Sequence, residues 1–136
     1  MDPSLLEQVD KKIWKEIWKL EVSNKVRNFL WMLCTNSIAI NENIWERKIV
    51  QEPLCLICRM EIENVEHLCL ICDWTRGVWF AGGWGIRIQK ESFTSMDRWL
   101  GSLFCQKQVK EEMKILITYK LWYIWKERCE VNLGGK

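Results

Sequence analysis

Hydrophobic residues recur three and four positions apart in the first fifty residues, the period of a helix with one buried face. The first run predicts an amphipathic helix that ends near Leu20, and its members are Leu6, Val9, Ile13 and Ile17. The second run predicts a helix that Ser23 or Asn24 would cap, and its members are Val26, Phe29, Leu30 and Leu33. A short third helix is predicted from Asn41 through Trp45 towards Ile49.

The same period returns in the last forty residues. Ser95 is predicted to cap a helix whose apolar positions are Met96, Trp99, Leu100, Leu103 and Phe104. A long final helix is predicted from about Lys107 to Cys129. Strand is expected only around a cysteine-rich segment in the middle of the chain and at residues 86–88. The pattern therefore predicts a mainly α fold, a small helical domain with a knuckle-like turn and at most a short β-hairpin.

The length of 136 residues suits one domain that buries about two thirds of its unfolded surface without disulfides. We expect a single domain over residues 1–136, with a helical N-terminal part (1–50), a cysteine-rich segment (51–82) and a helical C-terminal part (83–136). The most apolar stretch, residues 115–125, has about half the length of a membrane-spanning helix, so no membrane association is expected.

Charge and aromatic content add one candidate surface. The net charge is only +2, but residues 11–27 carry six basic side chains against two acidic ones. This local excess is a candidate for contacts with nucleic-acid phosphates, and its members are Lys11, Lys12, Lys15, Lys19, Lys25 and Arg27. Trp14 and Trp18 lie in the same stretch and would either stack on unpaired bases or pack into the core. The alternative interpretation is a solvated helix face.

Seven cysteines, an odd number, and an N-terminus without a continuous apolar run predict a reduced, intracellular protein in the nucleus or cytoplasm. Cys34 and Cys105 lie in apolar helical patterns and are expected in the core, whereas Cys129 is expected near an exposed end. None has a sequence neighbour that argues for catalysis.

The segment from 55 to 72 reads CLICRMEIENVEHLCLIC and predicts a zinc site. Cys55 and Cys58 form a Cys-x2-Cys pair, which places two sulfurs on one ion across a tight turn. The second pair of ligands is either His67 with Cys72 or Cys69 with Cys72. On an ideal α-helix Cys69 and Cys72 lie about 60° apart and His67 and Cys72 about 140° apart, which mildly favours four cysteines unless the helix unwinds before Cys72.

Three stretches stand out together: WKEIWKLEVSNKVRNFLWMLCTNSI at 14–38, the Cys55, Cys58, His67 and Cys72 spacing followed by Trp79, and LWYIWKER at 121–128. In this order and spacing they resemble the zinc-binding domain of plant LINE-type (non-LTR) retrotransposon reverse transcriptases. The resemblance implies that His67 is the third ligand and that Cys69 is not a ligand. It also implies that residues 1–136 form one reverse-transcriptase-type zinc-binding domain around a structural Zn²⁺.

The chain departs from that family in the knuckle, where Leu56 replaces a usual proline and Arg59 a common glycine. If the turn requires positive φ at Arg59, we expect strain of roughly a kcal/mol there.

No catalytic pattern is visible, since the chain lacks paired polymerase aspartates and its one histidine is assigned to zinc. Two functions are expected. One is a non-catalytic zinc module that binds RNA or single-stranded DNA, as the resemblance implies. The other is a protein-interaction module, a retroelement fragment whose tryptophan-rich surface pairs with itself or with a host protein.

Overall fold

The computed structural model describes residues 12–46, 53–81, 95–106 and 108–132. Six α-helices lie in these ranges: α1 (12–19), α2 (Asn24–Cys34), α3 (Asn41–Glu46), α4 (Asp73–Phe80), α5 (Met96–Phe104) and α6 (Glu111–Asn132). The described residues contain no strand, only an isolated antiparallel bridge between Leu54 and Ile62. The mainly α prediction is confirmed. The N-terminal positions Leu6 and Val9 and the strand considered at 86–88 lie outside these ranges.

Helices α1 and α2 follow the hydrophobic pattern of the sequence. Ile13 and Ile17 of α1 are at most 3% exposed. In α2 the buried residues are the four that the pattern predicted, Val26, Phe29, Leu30 and Leu33. The hydroxyl of Ser23 accepts a hydrogen bond from Val26 N at 3.4 Å, so Ser23 is the N-cap. Among the helices in the described ranges, none is long and apolar enough to cross a membrane.

The beginnings of α5 and α6 differ from the prediction in detail. Ser95 is the N-cap residue of α5, but its hydroxyl makes no capping bond. Burial raises the pKa of the Glu66 carboxyl in the cysteine-rich segment, and the backbone N–H of Met96 opposes this rise. Helix α6 begins at Glu111 rather than near Lys107, because a turn closed by Val109 N and the Gln106 carbonyl at 3.2 Å comes first.

The core is formed by buried residues from α1, α2, the cysteine-rich segment, α4, α5 and α6. Trp79 is fully buried, and its Nε1–H donates to the Cys69 carbonyl at 2.8 Å. Cys34 is only half-buried. The expectation of a buried Cys105 is wrong: this residue is the C-cap of α5, follows the last buried position Phe104 and is exposed.

Candidate metal centre

The first pair of candidate ligands lies in a tight knuckle between Leu54 and Ile62. Arg59 N donates to the Cys55 carbonyl at 2.9 Å, and Cys55 N donates to the Glu61 carbonyl at 2.8 Å. The knuckle also directs backbone N–H groups at both sulfurs: Ile57 N lies 3.4 Å from Cys55 Sγ and Met60 N lies 3.5 Å from Cys58 Sγ. Such donors stabilise negative charge on sulfur, which a metal-bound thiolate requires.

The second pair is positioned by a π-helical turn over His67–Ile71. Cys72 N donates to the His67 carbonyl at 2.8 Å, the five-residue hydrogen bond that defines this turn. Residues five apart are therefore about one turn apart here, so His67 and Cys72 lie on the same side. The ideal α-helix assumed from the sequence does not apply, and Cys72 leaves the helix with ψ 137°. Cys69 is 1% exposed and lies in the core.

Four donor side chains thus come together from the two turns. One ligand atom from each of Cys55, Cys58, His67 and Cys72 lies within 4.8 Å of all the others. Cys58 Sγ is 3.3 Å from His67 Nε2. A tetrahedral zinc with sulfur at about 2.3 Å has ligand separations of roughly 3.8 Å, so this donor set fits the ion in size and chemistry.

Hydrogen bonds among the four side chains, together with their burial, shift the pKa values of the cluster. A hydrogen bond with Cys72, together with burial, raises the pKa of Cys55 to about 12, and the same bond lowers the pKa of Cys72. Burial alone would lower the pKa of His67, but the thiols of Cys55 and Cys58 raise it to about 9. These protons must leave before three thiolates and a neutral imidazole can hold a divalent ion, so metal affinity depends on pH.

The far side of the imidazole faces a carboxylate. His67 Nδ1 is buried and makes no hydrogen bond, while Glu61 Oε2 lies 3.4 Å away. The carboxylate is about half exposed and therefore has room to move closer. A histidine that binds metal through Nε2 usually donates its Nδ1–H to such a group.

Sequence reasoning missed an ion pair that joins α6 to the segment between the two ligand-bearing turns. Arg128 Nη2 donates to Glu63 Oε1 at 2.8 Å and Nε to the same carboxylate at 3.2 Å, with both side chains at most 4% exposed. The Arg128 guanidinium also lies 5.3 Å from the centre of the Trp125 ring. The LWYIWKER segment was recognised in the sequence, but nothing local indicates a partner 65 residues away.

The basic residues predicted to contact nucleic acid are not equivalent. Lys12, Lys15, Lys19 and Lys25 are exposed, whereas Lys11 lies outside the described residues. Arg27 is half-buried and donates from Nε and Nη2 to the Leu20 carbonyl at 3.2 and 3.1 Å.

Tryptophans of α1 and α2 form a stack beside these lysines. The Trp14 ring lies 5.6 Å from that of Trp18 and 5.7 Å from that of Trp31, with interplanar angles of 14° and 26°. Trp18 is 54% exposed and Trp31 38% exposed. The interpretation that places these tryptophans in the core therefore does not hold for Trp18.

Comparison with known proteins agrees with the site. Residues 4–79, more than half of the chain, match the family described as zinc-binding in reverse transcriptase. An Arabidopsis thaliana protein named as a ribonuclease H protein is 24% identical over 122 residues, which are 88% of this chain and 20% of that protein. The chain therefore spans about a fifth of this relative's length. No solved structure matches the chain. The resemblance is confirmed, and the chain belongs to the reverse-transcriptase family of zinc-binding domains.

Proposed function

We propose that the chain is a non-catalytic module in which a structural zinc ion holds a helical surface in shape for binding nucleic acid. The observation that carries the proposal is the four-donor cluster of Cys55, Cys58, His67 and Cys72, in a chain of a zinc-binding family. The relative's ribonuclease H name describes a protein about five times longer, so it does not assign catalysis to this segment.

The ligand assignment is supported by the geometry of the π-helical turn. His67 Nε2 faces Cys58 Sγ, whereas Cys69 is buried among apolar core residues on another side. Burial raises the pKa of the Cys69 thiol above its ordinary value, which opposes formation of a thiolate there. We propose Cys55, Cys58, His67 and Cys72 as the ligands.

Cobalt substitution tests this assignment. Wild type and Cys69→Ala should both show the visible absorption of tetrahedral thiolate-bound Co²⁺, whereas His67→Ala should lose it or bind much more weakly. Loss of the absorption in Cys69→Ala with retention in His67→Ala would instead assign four cysteines. If wild type takes up no cobalt, the zinc assignment fails.

The nucleic-acid proposal is supported by the arrangement of α1. At about 100° per residue, Lys12, Lys15 and Lys19 fall within roughly 60° of one another, opposite the buried Ile13 and Ile17. The lysine face therefore points to solvent and can contact phosphates. Glu16 lies at the edge of this face and pairs with Lys114 of α6 at 3.0 Å. Its second carboxylate oxygen lies 3.8 Å from Lys19, so it offsets part of the charge at that end of the face, whereas Lys12 and Lys15 lie further round the helix.

Salt-dependent binding of labelled RNA tests this surface. Lys15→Ala should weaken binding at low salt and reduce the slope of log affinity against log salt by about one, since one phosphate contact is lost. Lys110→Ala is the matched control, because Lys110 is exposed outside α1 and its removal changes the net charge equally. Equal effects of the two substitutions would show that only overall charge matters.

A second function, protein interaction, is favoured by exposed aromatic residues on another surface. Phe80 at the end of α4 and Tyr119 and Tyr123 on α6 are each at least 44% exposed. Such residues are enriched where proteins associate. Light scattering over a concentration series tests self-association: dimers that Tyr123→Ser disrupts support it, and strict monomers exclude it.

A further inference from the structure

The tryptophan stack is the least expected feature of the surface. Trp14 is stacked with both Trp18 and Trp31, whose ring centres lie 5.6 and 5.7 Å from its own. The two outer rings belong to different helices, Trp18 to α1 and Trp31 to α2, and each retains substantial exposure. Large aromatic side chains are normally buried for their apolar area, so flat rings left accessible beside cationic residues suggest a stacking surface.

Neighbouring groups hold Trp18 in place. The Arg27 guanidinium lies over the Trp18 ring, 5.9 Å from its centre, and is itself fixed by two hydrogen bonds to the Leu20 carbonyl. The Trp18 side chain nevertheless remains 54% exposed. A third guanidinium nitrogen donates to the Asn24 side chain. With these donors used within the protein, Arg27 positions the ring and contributes less to phosphate binding than the exposed lysines do.

The lysine and tryptophan side chains occupy neighbouring faces of α1. At about 100° per residue, Lys15 is roughly 60° around the helix from Trp18, and Trp18 is on the side towards the buried face. The phosphate-binding face and the aromatic face are therefore adjacent. A single strand offers both matching groups, a charged backbone and free base faces, whereas the bases of a duplex are stacked on both sides.

We infer that the outer rings of Trp18 and Trp31 stack on unpaired nucleobases of a single-stranded RNA or DNA, while Lys12, Lys15 and Lys19 contact its phosphates. This inference rests on the proposed nucleic-acid binding and narrows it to strands with accessible bases. Trp14 is the central support of the stack, and Arg27 orients Trp18. Sequence preference is weak in this arrangement, because every base has a face that can stack.

Fluorescence anisotropy with the full chain loaded with zinc tests the inference. The probes are an end-labelled single-stranded RNA, the DNA of the same sequence and the corresponding DNA duplex, all at low salt. Wild type should bind the single strands more tightly than the duplex. Trp18→Leu should lower single-strand affinity about 5- to 150-fold, the loss expected for one stacked base, and leave duplex affinity almost unchanged.

Two further variants separate stacking from loss of structure. Trp18→Phe retains an aromatic face and should keep most of the single-strand affinity. Tyr123→Leu removes an aromatic ring of similar exposure, 50%, that lies beside Trp74 of α4. This ring is a candidate for protein association and is not part of the stack, so its loss should leave single-strand affinity, measured at a protein concentration where the chain is monomeric, unchanged. Zinc content and circular dichroism of each variant must equal those of wild type.

The outcomes distinguish this inference from the function on which it rests. Weaker binding of both single-stranded RNA and single-stranded DNA by Trp18→Leu supports stacking on bases, which both strands carry. Weaker binding of RNA alone assigns the surface to RNA. Unchanged single-strand binding in Trp18→Leu, with weaker binding in Lys15→Ala, overturns stacking but leaves nucleic-acid binding standing. If Trp18→Leu abolishes self-association and leaves single-strand binding unchanged, the stack is a protein contact and the inference is overturned. If wild type binds no probe, the nucleic-acid proposal fails as well.

Discussion

Arg59, at the tip of the knuckle, has a backbone conformation that favours glycine. Its φ is 57°, so the strain expected from the sequence is present at this position. Relief of a left-handed residue gains about 1–2 kcal/mol, while glycine loses about 0.5–1 kcal/mol through the flexibility of the unfolded chain. We expect Arg59→Gly to increase the free energy of unfolding of the zinc-loaded protein by roughly 0.5–1 kcal/mol in urea titrations. Arg59→Ala removes the same side chain but keeps Cβ, and an equal gain there would contradict the backbone explanation.

Glu61 is placed to orient the imidazole of His67. Its Oε2 lies 3.4 Å from His67 Nδ1, which makes no hydrogen bond. When Nε2 binds a metal, the imidazole proton is on Nδ1 and requires an acceptor such as this carboxylate. Glu61→Gln should weaken zinc binding about 10-fold, measured by competition with a chromophoric chelator. Glu130→Gln, an exposed substitution on α6, is the control. Equal zinc affinities of the two variants would exclude a role for Glu61.

Cysteine reactivity reports on burial outside the cluster. Cys105 is exposed, whereas Cys129 is half-buried and burial raises its pKa above the ordinary thiol value. A raised pKa leaves less thiolate at a given pH, so iodoacetamide should modify Cys105 first near pH 8. The rate at Cys129 should continue to rise at pH values above the ordinary thiol pKa. Peptide mass spectrometry over a pH series measures both rates, and equal rates near pH 8 would be inconsistent with this assignment.

At the scale of elements, the helices were predictable where their signals are local. Val26, Phe29 and Leu33 recur at helical spacing and Ser23 precedes them, so the pattern and the cap both identify α2. The π-helical turn was not predictable, because its five-residue hydrogen bond leaves no distinct period in so short a segment. This one element decides which side chain faces Cys72. The family resemblance, rather than ideal helix geometry, therefore indicates the same four side chains that the structure brings together.

The Glu63–Arg128 pair connects the segment between the two ligand pairs to α6. Removing one member leaves the other charge buried without its partner in this ion pair, which costs about 3–5 kcal/mol, whereas an apolar replacement of both is often nearly neutral. Glu63→Leu and Arg128→Met should each lower the free energy of unfolding by that amount, and the double variant should recover most of the loss.

The control for this pair is an exposed one. Arg76 and Asp73 of α4 lie 3.5 Å apart with side chains 47% and 96% exposed, so Arg76→Met should cost less than about 1 kcal/mol. Urea unfolding of the five proteins, all loaded with zinc, gives the comparison. Additive losses in the double variant would show that the two buried charges are not coupled.

For the whole molecule, features that depend on local sequence could be predicted, whereas features that depend on contacts between distant segments could not. The four candidate ligands and the lysines of α1 could be identified because their residue types and spacing are local. The stack of Trp14 on Trp31 could not, because it depends on how α1 packs against α2. The exposed position of Cys105 likewise depends on where α5 ends.

Zinc removal should unfold the described core rather than only the knuckle. Val65, Leu68 and Leu70 lie between or beside the candidate ligands and are at most 1% exposed within the same core as α2 and α6. Zinc supplies on the order of 10 kcal/mol, comparable to the whole stability of a small domain. A strong chelator should therefore abolish most of the helical circular dichroism and the cooperative thermal transition, and added zinc should restore both. Cys105→Ser, which lacks a cysteine outside the cluster, should respond like wild type. Retention of the full helical signal in chelator would mean that zinc orders only its own loop, because the core would then be stable without its ligand-bearing segment.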